Sequence, residues 1–232
     1  MTTSGGGAAV VIPTLNEVES IGAVIAALPR DVLGRVIVVD GGSTDGTIEA
    51  ARCAGAEVVT AARGYGVACL TGVDAADGCD IIVFMDGDGA DDPAAIPKMV
   101  AAIRTDGYDF VIASRARGKR ERGSIGAHQI LAGLAAGALI GLFYGTRYTD
   151  MSALRAIRRD MLLKLGMRER TYGWNLEMQM RAARLRLRVL ELPVAYRRRS
   201  GGRSKVAGNW GGSIKAGARI VATFARVILE RE

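Results

Sequence analysis

Short apolar runs and helical periods alternate along the first half of this chain. Ala8–Ile12, Arg35–Val39, Glu57–Thr60, Ile81–Met85 and Phe110–Ala113 are brief and mostly β-branched or otherwise apolar. Such runs read as strands, and Ile81–Met85, which shows no alternation, as one buried on both faces at the centre of a parallel sheet. Between them, Glu17–Leu28, Thr47–Ala54, the stretch from Arg63-Gly64-Tyr65-Gly66 to about Ala76, and Pro93–Arg104 read as helices. Pro13 is expected to end the first strand, Asn16 to cap the first helix and Pro93 to open the last. This repeated alternation predicts a doubly wound α/β sheet whose ligands lie at the carboxyl ends of the strands.

The second half has a different texture. Ile130–Tyr144 holds only apolar residues and glycine, and is shorter than the roughly 20 residues of a membrane-spanning helix. A buried helix is expected there, the alternative being an interfacial helix dipping into lipid. Ser152–Ile157 reads as a strand and Val189–Tyr196 as a last extended segment. Trp174–Leu187 reads as a helix with Leu176, Met180, Ala183 and Leu187 on one face, and Glu177 sits at i, i+4 spacing from Arg181. Arg197–Lys205 is basic and glycine-containing, suited either to wrapping an anion or to a solvated loop. Gly212–Glu230 is amphipathic. Docking of its apolar stripe on the domain is expected, with an anionic membrane surface as the alternative.

Polar residues recur where the first-half strands end: Glu17, Asp40 and Ser43, Arg63, Asp86 and Asp88, Ser114 and Arg115. Five groups on one edge point to a ligand lying across it. In Asp86-Gly87-Asp88-Gly89 two carboxylates stand one residue apart. Held together they repel unless a cation lies between them, and a hard divalent cation with a phosphate-bearing substrate accounts for both. Gly87 and Gly89 imply a close approach to the backbone. Neither Gly-x-Gly-x-x-Gly nor a Walker lysine is present, which counts against hydride-transfer cofactors and P-loop cradling. The single histidine, His128, is left out of the chemistry.

Charge divides the chain in the same place. Residues 1–114 carry 6 Lys/Arg against 16 Asp/Glu, and residues 115–232 carry 25 against 8. An acidic half that holds a metal and a basic half that meets an anion follow from this. Nucleic acid is disfavoured, because basic-aromatic interleaving and recognition-helix patterns are missing. Cys53, Cys69 and Cys79 have no metal-ligand spacing and fit reduced thiols in a cytoplasmic protein, here expected at the cytoplasmic face of a membrane. Residues 1–7 are expected to form a flexible tail.

Taken together, Val10-Val11-Ile12-Pro13-Thr14-Leu15-Asn16-Glu17, Val38-Val39-Asp40-Gly41-Gly42-Ser43-Thr44-Asp45-Gly46-Thr47 and Asp86-Gly87-Asp88 resemble the family 2 glycosyltransferases. Phe110–Arg115 and Arg199-Ser200-Gly201-Gly202-Arg203-Ser204-Lys205 are similar to the dolichol-phosphate mannose synthase-like branch. The resemblance implies a glycosyltransferase A type fold: a mixed, mostly parallel doubly wound sheet over 8–205, with a nucleotide-sugar half (8–115), an acceptor half (116–205) and a C-terminal amphipathic helix (206–232). It implies donor contacts from Pro13, Leu15, Glu17, Asp40, Asp86, Gly87, Asp88 and Arg115. Mg²⁺ or Mn²⁺ would be held by Asp86 and Asp88, and acceptor or phosphate contacts would come from Arg199, Ser204 and Lys205. The implied activity is inverting transfer of a sugar from GDP-mannose or UDP-glucose to a polyprenyl phosphate. Asp88, Arg115 and Glu177 would be the catalytic residues. Glu177 or Asp91 would be the base if the acceptor were a hydroxyl. Transfer to a soluble or glycan acceptor, and a non-catalytic nucleotide-binding module recruited to a membrane, are the alternatives. Three departures from the family pattern stand out. Gly41 replaces a frequent second Asp, Ala90 replaces a polar residue, and no transmembrane helices follow, so a lipid acceptor would be met peripherally.

Overall fold

A computed structural model describes residues 6–201 and 222–230. The chain runs β1 (Ala8–Thr14), α1 (Val18–Ala26), β2 (Leu33–Asp40), α2 (Thr47–Cys53), β3 (Glu57–Thr60), α3 (Tyr65–Ala75), β4 (Ile81–Phe84). A 3-10 turn, Pro93–Ala95, leads into α4 (Ile96–Arg104) and β5 (Phe110–Ser114). Then come α5 (Ala127–Tyr144), β6 (Arg155–Arg158), α6 (Arg159–Leu165), α7 (Trp174–Arg184) and β7 (Val189–Pro193). Residues 222–229 form a further helix.

The strands make one sheet in the order β3-β2-β1-β4-β6-β5-β7, with β4 in the middle. All ladders are parallel except those of β6, which runs against both β4 and β5. Side-chain alternation divides the core into two layers. Val10, Ile12, Val36, Val38, Ile81 and Val83 meet α1, α2 and α4 on one face. Val11, Ile37, Val39, Ile82 and Phe84 meet α3 and α7 on the other.

Three expectations need correction. β1 does not stop at Pro13 but continues to Thr14, with Pro13 opposite Val39. The Val11 carbonyl accepts from the Met85 amide on the β4 side. Pro13, two residues on, faces the same side, where β4 has already ended, so its missing N–H costs no ladder bond. Asn16 does not cap α1. It lies in the left-handed region and its side chain accepts from the Thr44 amide, while Asp45 reaches the Val18 amide from the neighbouring loop.

The third correction is α5, which is not buried. The sheet face beneath it is already covered, so α5 packs from outside on α7 and on the segment 147–151. Gly133, Gly137 and Gly141 line the contact. A Cβ on Gly137 would run into the Tyr148 carbonyl and one on Gly141 into the Arg147 side chain. Ala136 and Ile140 are buried with them. The larger side chains point outward: Leu131 is 66% exposed, Leu142 79% and Phe143 54%. Among the described residues no helix is long and apolar enough to cross a membrane.

Candidate active site

The carboxyl ends of β1 and β2 form the first wall. Pro13 and Leu15 are half-buried there and Glu17 is buried. Asp40 is fully enclosed. One of its oxygens accepts from the amides of Gly42 and Ser43, both at 2.8 Å, and the other from the Ser43 hydroxyl. Its carboxylate therefore shapes the loop after β2 instead of standing free in the cleft.

At the end of β4 the backbone leaves the sheet. Gly87 is buried, and a Cβ there would press on Thr14, Ile12 and Ile21, so the close approach foreseen for this glycine is to the protein's own core. The Ser20 hydroxyl on α1 donates to the Gly87 carbonyl at 2.7 Å and fixes the turn. Asp88 points one oxygen at the Ala90 amide (2.9 Å) and the other at Arg199 Nε (3.0 Å). Asp86 is half-buried, and its amide donates to Asp91 Oδ2 at 3.4 Å. Asp86, Asp88 and Asp91 thus share one corner.

The segment after β7 lies across this edge as a strap. The Arg197 amide donates to the Ala90 carbonyl and the Ser200 amide to the Asp88 carbonyl. Arg199 reaches Glu17 Oε1 at 3.4 Å as well as Asp88. Ser204 and Lys205 lie outside the described residues.

Arg115, at the end of β5, holds Asp150 through two parallel bonds, Nε to Oδ2 at 2.9 Å and Nη2 to Oδ1 at 2.7 Å. Its guanidinium also lies over the Tyr196 ring, 5.0 Å from the centroid. Bidentate pairing to a carboxylate fixes an arginine's plane. Burial works against the charges of this pair, but their mutual attraction prevails. Arg115 ends above its ordinary value and Asp150 below. Asp150 was not foreseen from the sequence. Its one signal was an acid just before an apolar strand in the arginine-rich half.

Glu177 stands apart from this corner. It is fully buried on α7. One oxygen accepts from the amides of Arg168 and Glu169, and the other meets Arg181 (3.0 Å) and Arg226 (3.2 Å). Arg226 belongs to the helix 222–229 and also pairs with Glu169, while Glu230 pairs with Arg181 at 2.6 Å. An enclosed carboxylate with every oxygen engaged has no room to take a proton from an acceptor. Through these contacts Glu177 anchors the C-terminal helix. Val227 and Thr223 are buried in the same contact, and Phe224 meets Phe143 edge-on, so this part of the terminal segment docks on the domain.

Burial, and then the neighbouring carboxylates, push Asp86 up to about 6 and Asp91 up to about 8. A raised carboxyl keeps its proton in the folded state after the unfolded chain has released it. Stability therefore falls as pH rises from the ordinary value of 3.8 through about 8. Metal-stripped protein should melt at a lower temperature at pH 8 than at pH 5, and Asp91→Asn should flatten that slope. Thermal melts in chelator across this range test it, and equal slopes for the two proteins would contradict it.

The corner suits a hard divalent cation. Its carboxylates repel one another, and Arg199 already supplies positive charge to Asp88. Among the described residues no three acidic, His or Cys side chains form a ready-made cage. Two carboxylates completed by substrate phosphate oxygens and water are the ligands such a cation takes.

The sequence profile of glycosyl transferase family 2 matches residues 9–166. The chain belongs to that family. Within it, an uncharacterized glycosyltransferase of Mycobacterium tuberculosis is 39% identical over 218 residues, covering 92% of this chain and 95% of that one. The undecaprenyl-phosphate mannosyltransferase of Micrococcus luteus is 32% identical over 213 residues, covering 85% and 86%. The dolichyl-phosphate hexose transferase of Haloferax volcanii is 35% identical over 198 residues, covering 83% and 84%. Among solved structures, glucosyl-3-phosphoglycerate synthase from M. tuberculosis, crystallised with Mn²⁺ and UDP-glucose, superposes with a TM-score of 0.76. It covers 99% of this chain and 81% of that one at 24% identity, which speaks to the fold. As a family 2 glycosyltransferase, the chain keeps its carboxylate corner inside the family-matched region, while α7, the strap and the C-terminal helix lie beyond it.

Proposed function

We propose that this enzyme transfers a sugar, with inversion, from a nucleotide-sugar to a polyprenyl phosphate at the cytoplasmic face of a membrane. GDP-mannose and UDP-glucose are the first donors to test. The observation that carries the reading is the acidic corner at the carboxyl edge of β4, roofed by a strap rich in arginine. The two relatives named for undecaprenyl and dolichyl phosphates support the acceptor.

Asp86 and Asp88 would hold Mg²⁺ or Mn²⁺, which when bound neutralises the diphosphate leaving group. The loops after β1 and β2, with Pro13, Leu15, Glu17 and the turn built by Asp40, form the wall for the nucleotide. Arg115 keeps a fixed orientation through Asp150, so its positive charge is preorganised toward the phosphates. An acceptor phosphate oxygen attacks the anomeric carbon. The bond from that carbon to the donor's phosphate oxygen breaks, and its electron pair leaves with the nucleoside diphosphate. A phosphate acceptor is ionised near neutral pH and needs no general base, which agrees with the enclosure of Glu177.

The outward face of α5 supports a peripheral route to a lipid acceptor. Leu131, Leu134, Leu139, Leu142 and Phe143 are exposed on one helix, and such a face can rest in the headgroup region. Replacing Leu131 and Leu142 by Ser should reduce transfer to polyprenyl phosphate in anionic vesicles about tenfold. It should leave transfer to a short water-soluble prenyl phosphate unchanged. The test of the function is a screen of nucleotide-sugars against vesicle-borne polyprenyl phosphate and against soluble acceptors, reading glycolipid and nucleoside diphosphate together. Products confined to soluble acceptors would replace the lipid reading, and pyrophosphate release would indicate nucleotidyl transfer.

A further inference from the structure

Arg199 occupies a position that a phosphate-binding residue does not explain. Its Nε lies 3.0 Å from the outer oxygen of Asp88, the carboxylate proposed to hold the metal, and a second nitrogen reaches Glu17. We infer that Arg199 is the resident cation of the metal-free site. A divalent ion displaces it from Asp88, and the freed guanidinium then turns to the donor's diphosphate. Arg199 is thereby a positioning residue that couples metal entry to donor capture, an inference that rests on the metal reading given above.

Three features make the exchange feasible. The strap is fastened by its backbone, Arg197 N to Ala90 O and Ser200 N to Asp88 O, so the side chain can swing without the strap leaving. Gly89 has a positive φ of 77° and carries no Cβ, which would collide with Ser200, so the strap approaches closely only because of this glycine. Finally, the Arg199 side chain is 30% exposed. The pair opens to solvent on the arginine side only, but Arg199 Nε makes no hydrogen bond at this contact, so a divalent charge can displace it where a fully bonded pair would resist.

The exchange predicts opposite signs for one substitution. Without its resident cation, Asp88 should be more available, and Arg199→Gln should bind Mn²⁺ at least threefold more tightly in the absence of nucleotide. The same variant should bind UDP or GDP in the presence of saturating Mn²⁺ more weakly. Arg199→Lys, which keeps the charge, should bind Mn²⁺ much as the wild type does. Free Mn²⁺ is followed by electron paramagnetic resonance on the full chain, with Asp88→Asn as the control. If Asp88→Asn abolishes Mn²⁺ binding but Arg199→Gln does not tighten it, the exchange is overturned and the metal reading stands. If Asp88→Asn binds Mn²⁺ like the wild type, the metal reading fails and takes the exchange with it.

Discussion

Asp88→Asn should lower sugar transfer by about 10³-fold or more, while circular dichroism and the melting temperature stay near those of the wild type. Removing one preorganised charge contact at a reacting diphosphate costs about two to three orders of magnitude, and a metal ligand contributes more than one such contact. The fold has little stake in the charge. The oxygen that accepts from the Ala90 amide survives in Asn. The lost partner, Arg199, keeps Glu17 as a counter-charge, so the change leaves no uncompensated buried charge. A variant that folds and transfers at the wild-type rate would remove this carboxylate from the chemistry.

Glu177→Ala should act in the opposite way, through stability. Four groups converge on this enclosed carboxylate: the amides of Arg168 and Glu169 and the guanidinium groups of Arg181 and Arg226. Breaking a buried ion cluster on one side costs about 3–5 kcal/mol, because the remaining charges stay buried. That is a large share of a domain stability of roughly 5–15 kcal/mol. Denaturant melts should show the loss, and activity should fall only as the folded fraction falls. Glu177→Gln keeps an acceptor for the two amides and should lose less. A folded, inactive Glu177→Gln protein would place Glu177 in catalysis.

The difference between these two acids shows what the sequence could reveal. The strands around β4 were legible because burial on both faces leaves an unbroken apolar run, and Asp86-Gly87-Asp88 stood out where that run stopped. The glycosyltransferase A sheet and the family followed from motifs that sit on those strand ends. For Glu177 the i, i+4 spacing foretold the pair with Arg181, but it says nothing of Arg226, 49 positions further on. Asp150 was missed for a similar reason, since its partner Arg115 lies just after β5, far back along the chain. The outward face of α5 could not be read from composition. A helix of leucine and glycine looks buried until the glycines prove to be the buried side, pressed on Tyr148 and Arg147. Asp40 kept its place but not its expected freedom, because its carboxylate is used within its own loop.

The most direct test is anomalous diffraction from crystals of the full chain grown with Mn²⁺ and UDP or GDP. The account predicts one strong Mn²⁺ peak within coordinating distance of Asp88, touching the diphosphate, with Arg199 withdrawn from that carboxylate. A nucleotide bound along the β1 and β2 loops with no peak at Asp88, or a peak elsewhere, would contradict it.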